Sequence, residues 1–348
     1  MDYRLLGRTG LRVAEISLGA MTFGEEWGFG ASKDECKKVF DAYVKAGGNF
    51  IDTANHYTEG TSEKMVGEFI RSDRARFVLA TKYTLGNPSG DPNAGGNHRK
   101  NLVQSLEASL KRLDTDYIDL YWVHAWDALT PVDELMRGLD DVVRAGKVLY
   151  IGISDAPAWV VARANTLADQ RGWTPFSAIQ VQYSLIERSV ERELLPMANA
   201  LDLAVTAWSP LGGGVLSGKY AKAAGSISAP ARFVDNPMSA AFVNDRNLTI
   251  AAEVHTIAKA IGSTPVQVAL AWLRQRPGVV IPIVGARRAS QLEESLGCID
   301  LTLSAEHVAR LERVSDIPLG FPHDFLSSDF VRGIVYAGMY DVIKNHRR

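Results

Sequence analysis

Along most of the chain, short apolar runs alternate with segments whose hydrophobic residues recur at helical spacing. The runs are "ISLG", "NFID", "FVLATK", "IDLYWVH", "VLYIGIS", "AIQV", "LAVTAWS" and "VVIPIVG". Between them lie amphipathic stretches such as "RKNLVQSLEASLKRL", where Leu102, Leu106, Leu110 and Leu113 fall on one helical face, and "PVDELMRGLDDVVRAG", where Leu135, Leu139 and Val142 do the same. Ser32 with Glu35 and Thr264 with Gln267 have capping-box spacing, and Pro131 and Pro265 follow threonines as first-turn prolines do. Ahead of the first run, "RLLGRTGLRVAE" reads as a hairpin turning between Gly7 and Gly10.

Eight buried strands, each followed by a helix and with no composition break between them, predict one α/β domain over residues 1–348, a (β/α)8 TIM barrel preceded by a β-hairpin. A doubly wound sheet is the alternative, but no G-x-G-x-x-G follows the first strand, where that fold puts its pyrophosphate turn. Two connections exceed ordinary loop length: "GNPSGDPNAGGN" after the third strand, and residues 210–245 after the seventh. The tail, residues 316–348, adds aromatic residues outside the eight units and is expected to pack near the barrel mouth.

The chain has 348 residues, 46% of them hydrophobic, enough for a large core. A formal net charge of −2 without a long basic run argues against nucleic acid and for a small-molecule partner. Cys36 and Cys298 lack any paired spacing, which fits a reducing compartment. The opening residues carry no secretory signal and no later stretch has the length of a membrane span, so a cytoplasmic protein without membrane partners is expected; assembly into a homo-oligomer is left open. His98, His255, His307 and His323 show no ligand spacing and His56 reads as a loop residue, so no metal site is expected.

Barrel chemistry sits at the carboxyl ends of strands. The second run ends at Asp52, with Tyr57 just beyond; the third ends at Lys82 and the fourth at His124. An ammonium beside a phenol favours the phenolate and is expected to lower a pKa that is ordinarily about 10, while a carboxylate keeps the ammonium charged and in place. Tyr57 then becomes a general acid for a carbonyl oxygen, with His124 as the hydrogen-bond donor that orients it. None of the four is a hydride donor, so a reduction requires a cofactor.

Between Gly213 and Lys219 lies G-x-x-x-x-G-K, one residue short of a nucleoside-triphosphate loop. Tyr220 replaces the hydroxyl that would reach magnesium, and "AAGSISAPAR" is a poor helix, so the glycines read as a turn or as a clamp for another phosphate.

From "LGRTGLRVAEISLGAMTFG" to "IPIVGARRASQLEES" the chain resembles the aldo-keto reductase superfamily, in its branch of aryl-alcohol dehydrogenases and potassium-channel β subunits. The resemblance implies the tetrad Asp52, Tyr57, Lys82 and His124, and NADPH or NADP bound across the barrel mouth without a dinucleotide fingerprint. By the same resemblance "SPLGGGVLSGK" becomes a pyrophosphate clamp with contacts from Ser209, Pro210, Leu211, Gly212, Gly218 and Lys219, and Trp208 stacks on the nicotinamide. Ser154 and Gln180 are expected at the carboxamide, beside Asp155 where the family usually has Asn. A carboxylate there can accept from the amide nitrogen but cannot donate to its oxygen. Gly19, Met21, Thr22 and Gly285 are expected to border the cofactor. Gln291, Glu294 and Ser295 are expected at the adenosine, Ser295 standing where Asn is common. Arg287 and Arg288, where a helix begins, suit a phosphate on the adenosine ribose and favour NADPH over NADH. Thr58 replaces a glycine that many relatives place after the tyrosine.

The reading is therefore an NADPH-dependent oxidoreductase that reduces aldehydes or ketones reversibly, with Trp27, Phe29, Tyr83 and Trp126 as an aromatic substrate pocket. Two alternatives are a cofactor-binding regulatory subunit with weak turnover, and a lyase that uses Lys82 as a Schiff-base amine.

Overall fold

The structure, a computed structural model, describes residues 1–86, 90–218 and 242–345. Two short strands, β1 (Tyr3–Leu5) and β2 (Arg12–Ala14), form the expected hairpin, with Tyr3 opposite Ala14 and Leu5 opposite Arg12. The eight apolar runs then become β3 (Ser17–Gly19), β4 (Phe50–Asp52), β5 (Val78–Tyr83), β6 (Ile118–Val123), β7 (Val148–Ser154), β8 (Phe176–Gln182), β9 (Ala204–Trp208) and β10 (Val280–Val284). All pair in parallel, and β10 returns to β3 to close the barrel. Helices such as Lys33–Lys45, Arg99–Leu113 and Val132–Arg144 surround it, with Leu102, Leu106, Leu110 and Leu113 buried against the strands.

Side chains alternate across each strand, and that parity sorts two cores. Phe50, Val78, Ala80, Leu120, Trp122, Ala178, Ala204 and Ile281 point inward and pack together, whereas Ile51, Leu79, Tyr121 and Ile179 point outward to the helices. Gly152 of β7 pairs in register with Trp122, and a Cβ there would sit 2.3 Å from the indole, so only glycine leaves room for that ring. At the amino end of the barrel Leu6, Val13 and Ala14 of the hairpin join the inner cluster, and Arg8 N donates to Asp202 O at 2.8 Å ahead of β9. The hairpin plugs that end, and the charged inward side chains Asp52 and Lys82 lie towards the other.

The helix starts follow the expected chemistry unevenly. Thr264 and Gln267 form a full capping box with Pro265 in the first turn. Ser32 stands at the N-cap without a side-chain bond, because Glu35 turns down the helix to Lys38. Pro131 is itself the N-cap, one residue earlier than expected. The start of the tail lies against the loop after β8: Arg192 Nη2 donates to Pro318 O at 2.9 Å, and Glu193 meets His323 at 2.9 Å. Two short helices follow, His323–Ser327 and Asp329–Val335.

Candidate active site

The inward parity that fills the lower barrel with apolar side chains delivers Asp52, Lys82 and Gln180 to its upper layer. Lys82 is fully buried, and all three of its N–H groups are used: one on Asp52, one on Thr53 O at 2.9 Å, and one on Tyr57 Oη at 2.9 Å. The other oxygen of Asp52 accepts from Gln180 Nε2 at 3.0 Å. Tyr57 stands in the turn after β4, its ring 5.7 Å from that of His124 and nearly perpendicular to it. The four residues named from the strand ends are thus one cluster on three adjacent strands and the turns that follow them.

The electrostatics differ from the sequence expectation at one point. Burial pushes the Tyr57 phenol above its ordinary value; Lys82 pulls it down, but Asp52 opposes, and the net direction is upward. The expected lowering is corrected: Lys82 stabilises the phenolate, but not enough to outweigh its desolvation. Burial alone would lower the Lys82 ammonium, yet Asp52 and Tyr57 hold it above the usual lysine range. Burial drives His124 well below its ordinary value, helped by Lys82 and His56, so the imidazole is neutral.

Around this cluster stand aromatic rings. Trp27 lies edge-on to Tyr57 at 6.2 Å between centroids, and also meets Phe29 and His56. Trp126 is half-buried in the loop after β6, its N–H on Asp155 O at 3.3 Å. Tyr83 does not belong with them. Coming directly after Lys82 it points to the opposite side of β5, where it is fully buried, stacks on Tyr121 and donates to Asn97 O; its assignment to a substrate pocket is overturned by strand parity.

Two residues that hold the site were not evident from sequence. Thr84 has φ 95, a conformation rare for a β-branched residue, and its hydroxyl accepts from His124 N at 3.2 Å and from Asn97 Nδ2 at 2.8 Å. The only signal was its place two residues after a strand-end lysine. Thr58 takes φ 45 and ψ 45, the left-handed backbone that suits glycine, and its buried hydroxyl bonds Phe23 O at 2.7 Å and Ser62 N at 3.1 Å.

The residues expected to hold a cofactor ring the same end. Ser154 and Gln180 are buried, and Ser154 Oγ makes no bond that meets hydrogen-bond geometry. Trp208 Nε1 donates to Asp155 Oδ1 at 3.0 Å, and a cavity of about 250 Å³ opens beside this pair, walled by Val181, Gln182 and Leu194. Ser209 Oγ accepts from Gly213 N at 3.1 Å, in a turn where Gly212, Gly213 and Gly214 all have positive φ. A Cβ on Gly212 would lie 2.1 Å from Ile186. Pro210 is buried, Leu211 half-buried, and Gly218 ends the turn at φ 78; Lys219 lies outside the described residues. Across the mouth Thr22 Oγ1 donates to Ala286 O at 3.0 Å, Gly19 and Gly285 lie side by side, and Met21 is exposed. Arg287 and Arg288 are exposed where the helix Ala289–Leu296 begins, and Gln291 accepts from Arg287 N at 3.0 Å. Glu294 is exposed, but Ser295 is buried with its hydroxyl on Gln291 O at 2.9 Å, so it offers no free group at the surface. Among the described residues no cluster of His, Cys, Asp or Glu is set to hold a metal ion, and no helix is long and apolar enough to cross a membrane.

A closed parallel barrel with an ionisable cluster at the carboxyl ends of its strands has the build of a TIM-barrel enzyme. Residues 15–316 match the model of the Aldo/keto reductase family. The chain is 38% identical over 342 residues to an aryl-alcohol dehydrogenase of Pestalotiopsis microspora, covering 95% of this chain and 87% of that one. It is 37% identical over 348 residues to an aldo-keto reductase of Aspergillus calidoustus, covering 94% and 85%, and 36% identical over 335 residues to a norsolorinic acid reductase of Aspergillus flavus, covering 93% and 84%. The chain belongs to the aldo/keto reductase family, and is an oxidoreductase of carbonyl compounds.

Proposed function

We propose that this protein reduces aromatic aldehydes or ketones to alcohols, reversibly, with NADPH. The observation that carries the reading is the bond from the buried Lys82 ammonium to Tyr57 Oη at 2.9 Å, with Asp52 holding the lysine from its other side. A nicotinamide held at this end would supply the hydride for the carbonyl carbon, or take it from the alcohol in the reverse direction. Tyr57 gives its proton to the carbonyl oxygen, and Lys82 stabilises the phenolate left behind. Because burial keeps the phenol above its ordinary pKa, Tyr57 holds that proton at neutral pH until the oxygen becomes basic. Neutral His124 can still donate a hydrogen bond to the same oxygen.

Ser154, Asp155, Gln180 and Trp208 would hold the nicotinamide end, the turn from Ser209 to Gly218 the pyrophosphate, and Arg287 with Arg288 the 2′-phosphate that distinguishes NADPH. The buried and unbonded His124 Nδ1 fits such a polar site, as buried polar atoms otherwise carry partners. Trp27 and Trp126 at the rim, and relatives named for an aryl alcohol, support an aromatic substrate. Full engagement of Lys82 supports an electrostatic role over a Schiff-base amine.

The test is Tyr57→Phe. Turnover of NADPH with aromatic aldehydes is expected to fall about 10²- to 10⁴-fold while NADPH affinity stays within about twofold. Full activity in that variant, or trapping of a carbonyl substrate on Lys82 by borohydride, would refute the reading.

A further inference from the structure

We propose that the carboxylate of Asp155 makes this protein bind the oxidised nicotinamide cofactor more tightly, relative to the reduced form, than a neutral residue there would. The inference rests on the function proposed above and goes beyond it to what one side chain does to the two forms of the cofactor.

Asp155 is held from several sides. Its backbone takes the left-handed conformation at φ 45, its N–H donates to Gln180 O at 3.1 Å, and its carbonyl accepts from Trp126 N at 3.3 Å. The side chain accepts from Trp208 Nε1 at 3.0 Å, so the carboxylate bridges the ends of β7 and β9 across the top of β8. It also interacts electrostatically with both partners in the acid-base pair, drawing on the charge of Lys82 and raising Tyr57. A nicotinamide held beside Trp208, as proposed above, would have this carboxylate near it.

The two forms of nicotinamide differ in charge: the oxidised ring is a cation and the reduced ring is neutral. Lys82 cannot set the balance alone, since Asp52 is paired with it. Asp155 forms no ion pair with any described residue, so its carboxylate is not matched by a bonded cation as that of Asp52 is. A carboxylate attracts the cation and has little effect on the neutral ring. Burial pushes the carboxyl up, and the Trp208 N–H opposes this by favouring the ionised form.

The experiment is a titration of NADP⁺ and NADPH at pH 8 against the unchanged protein, Asp155→Asn and Asp155→Ser, read by calorimetry. Asn tolerates the left-handed backbone and keeps an acceptor for Trp208, while Ser provides a second neutral variant that does not depend on how Asn packs. Both variants are expected to weaken NADP⁺ binding at least about fivefold more than NADPH binding. A ratio of the two affinities that stays within about twofold of the unchanged protein in both variants overturns this inference alone. Binding of neither form by the unchanged protein overturns the proposed function with it.

Discussion

Gln180 Nε2 donates to Asp52 Oδ2 at 3.0 Å across the full width of the barrel, since β8 and β4 lie four strands apart in the closed ring of eight. The carboxylate that fixes Lys82 is itself fixed from the opposite wall. Gln180 was expected only at the cofactor carboxamide, and it is also bonded into the Asp52–Lys82 cluster.

This arrangement makes Lys82 and Asp52 depend on each other. Lys82→Met leaves a buried carboxylate without its cation and is expected to destabilise the fold by about 3–5 kcal/mol. Asp52→Asn in the same chain removes the orphan charge and should recover much of that loss without restoring turnover. Guanidinium unfolding of the two single variants and the double variant measures the coupling; strictly additive losses would contradict it.

His124 predicts an acid-sensitive term in stability. An unfolded histidine titrates near pH 6.5, whereas burial holds His124 neutral to well below that. Below about pH 6.5 the unfolded chain therefore binds one more proton than the fold does, and stability falls by up to about 1.4 kcal/mol per pH unit until the folded pKa is reached. His124→Gln should flatten that part of the curve between pH 6.5 and 5. Parallel curves for the two proteins would show that the imidazole contributes nothing.

For the cofactor, replacing Arg287 and Arg288 together by Ala is expected to weaken NADPH at least about tenfold and NADH less than about twofold. Equal losses for the two cofactors would mean that neither guanidinium reads the ribose phosphate.

Trp27 presents its edge to Tyr57, so an aromatic substrate next to that hydroxyl would meet the indole. Trp27→Ala should raise KM for an aryl aldehyde about tenfold and change KM for a short aliphatic aldehyde much less. Equal effects on both substrates would remove Trp27 from the pocket.

The strands could be read because each buried run is short, apolar and bounded by turn residues; "VLYIGIS" and β7 share both ends. Lys82 and His124 could be read because, with Asp52 and Tyr57, they end or follow neighbouring runs and so converge on one small volume. Tyr83 was misplaced by taking it to lie beyond the end of its strand; it is the last residue of β5, and neighbours on a strand face opposite ways. The direction of the Tyr57 shift was out of reach for another reason: sequence names the charges near a phenol, but only packing sets how much water the phenol loses. The bonds from Gln180 to Asp52 and from Trp208 to Asp155 link separate strands at one height, which depends on register around the barrel.

The plug formed by Leu6, Val13 and Ala14 shuts the amino end of the barrel. Whatever reacts beside Tyr57 must enter and leave on the side where a dinucleotide would be laid.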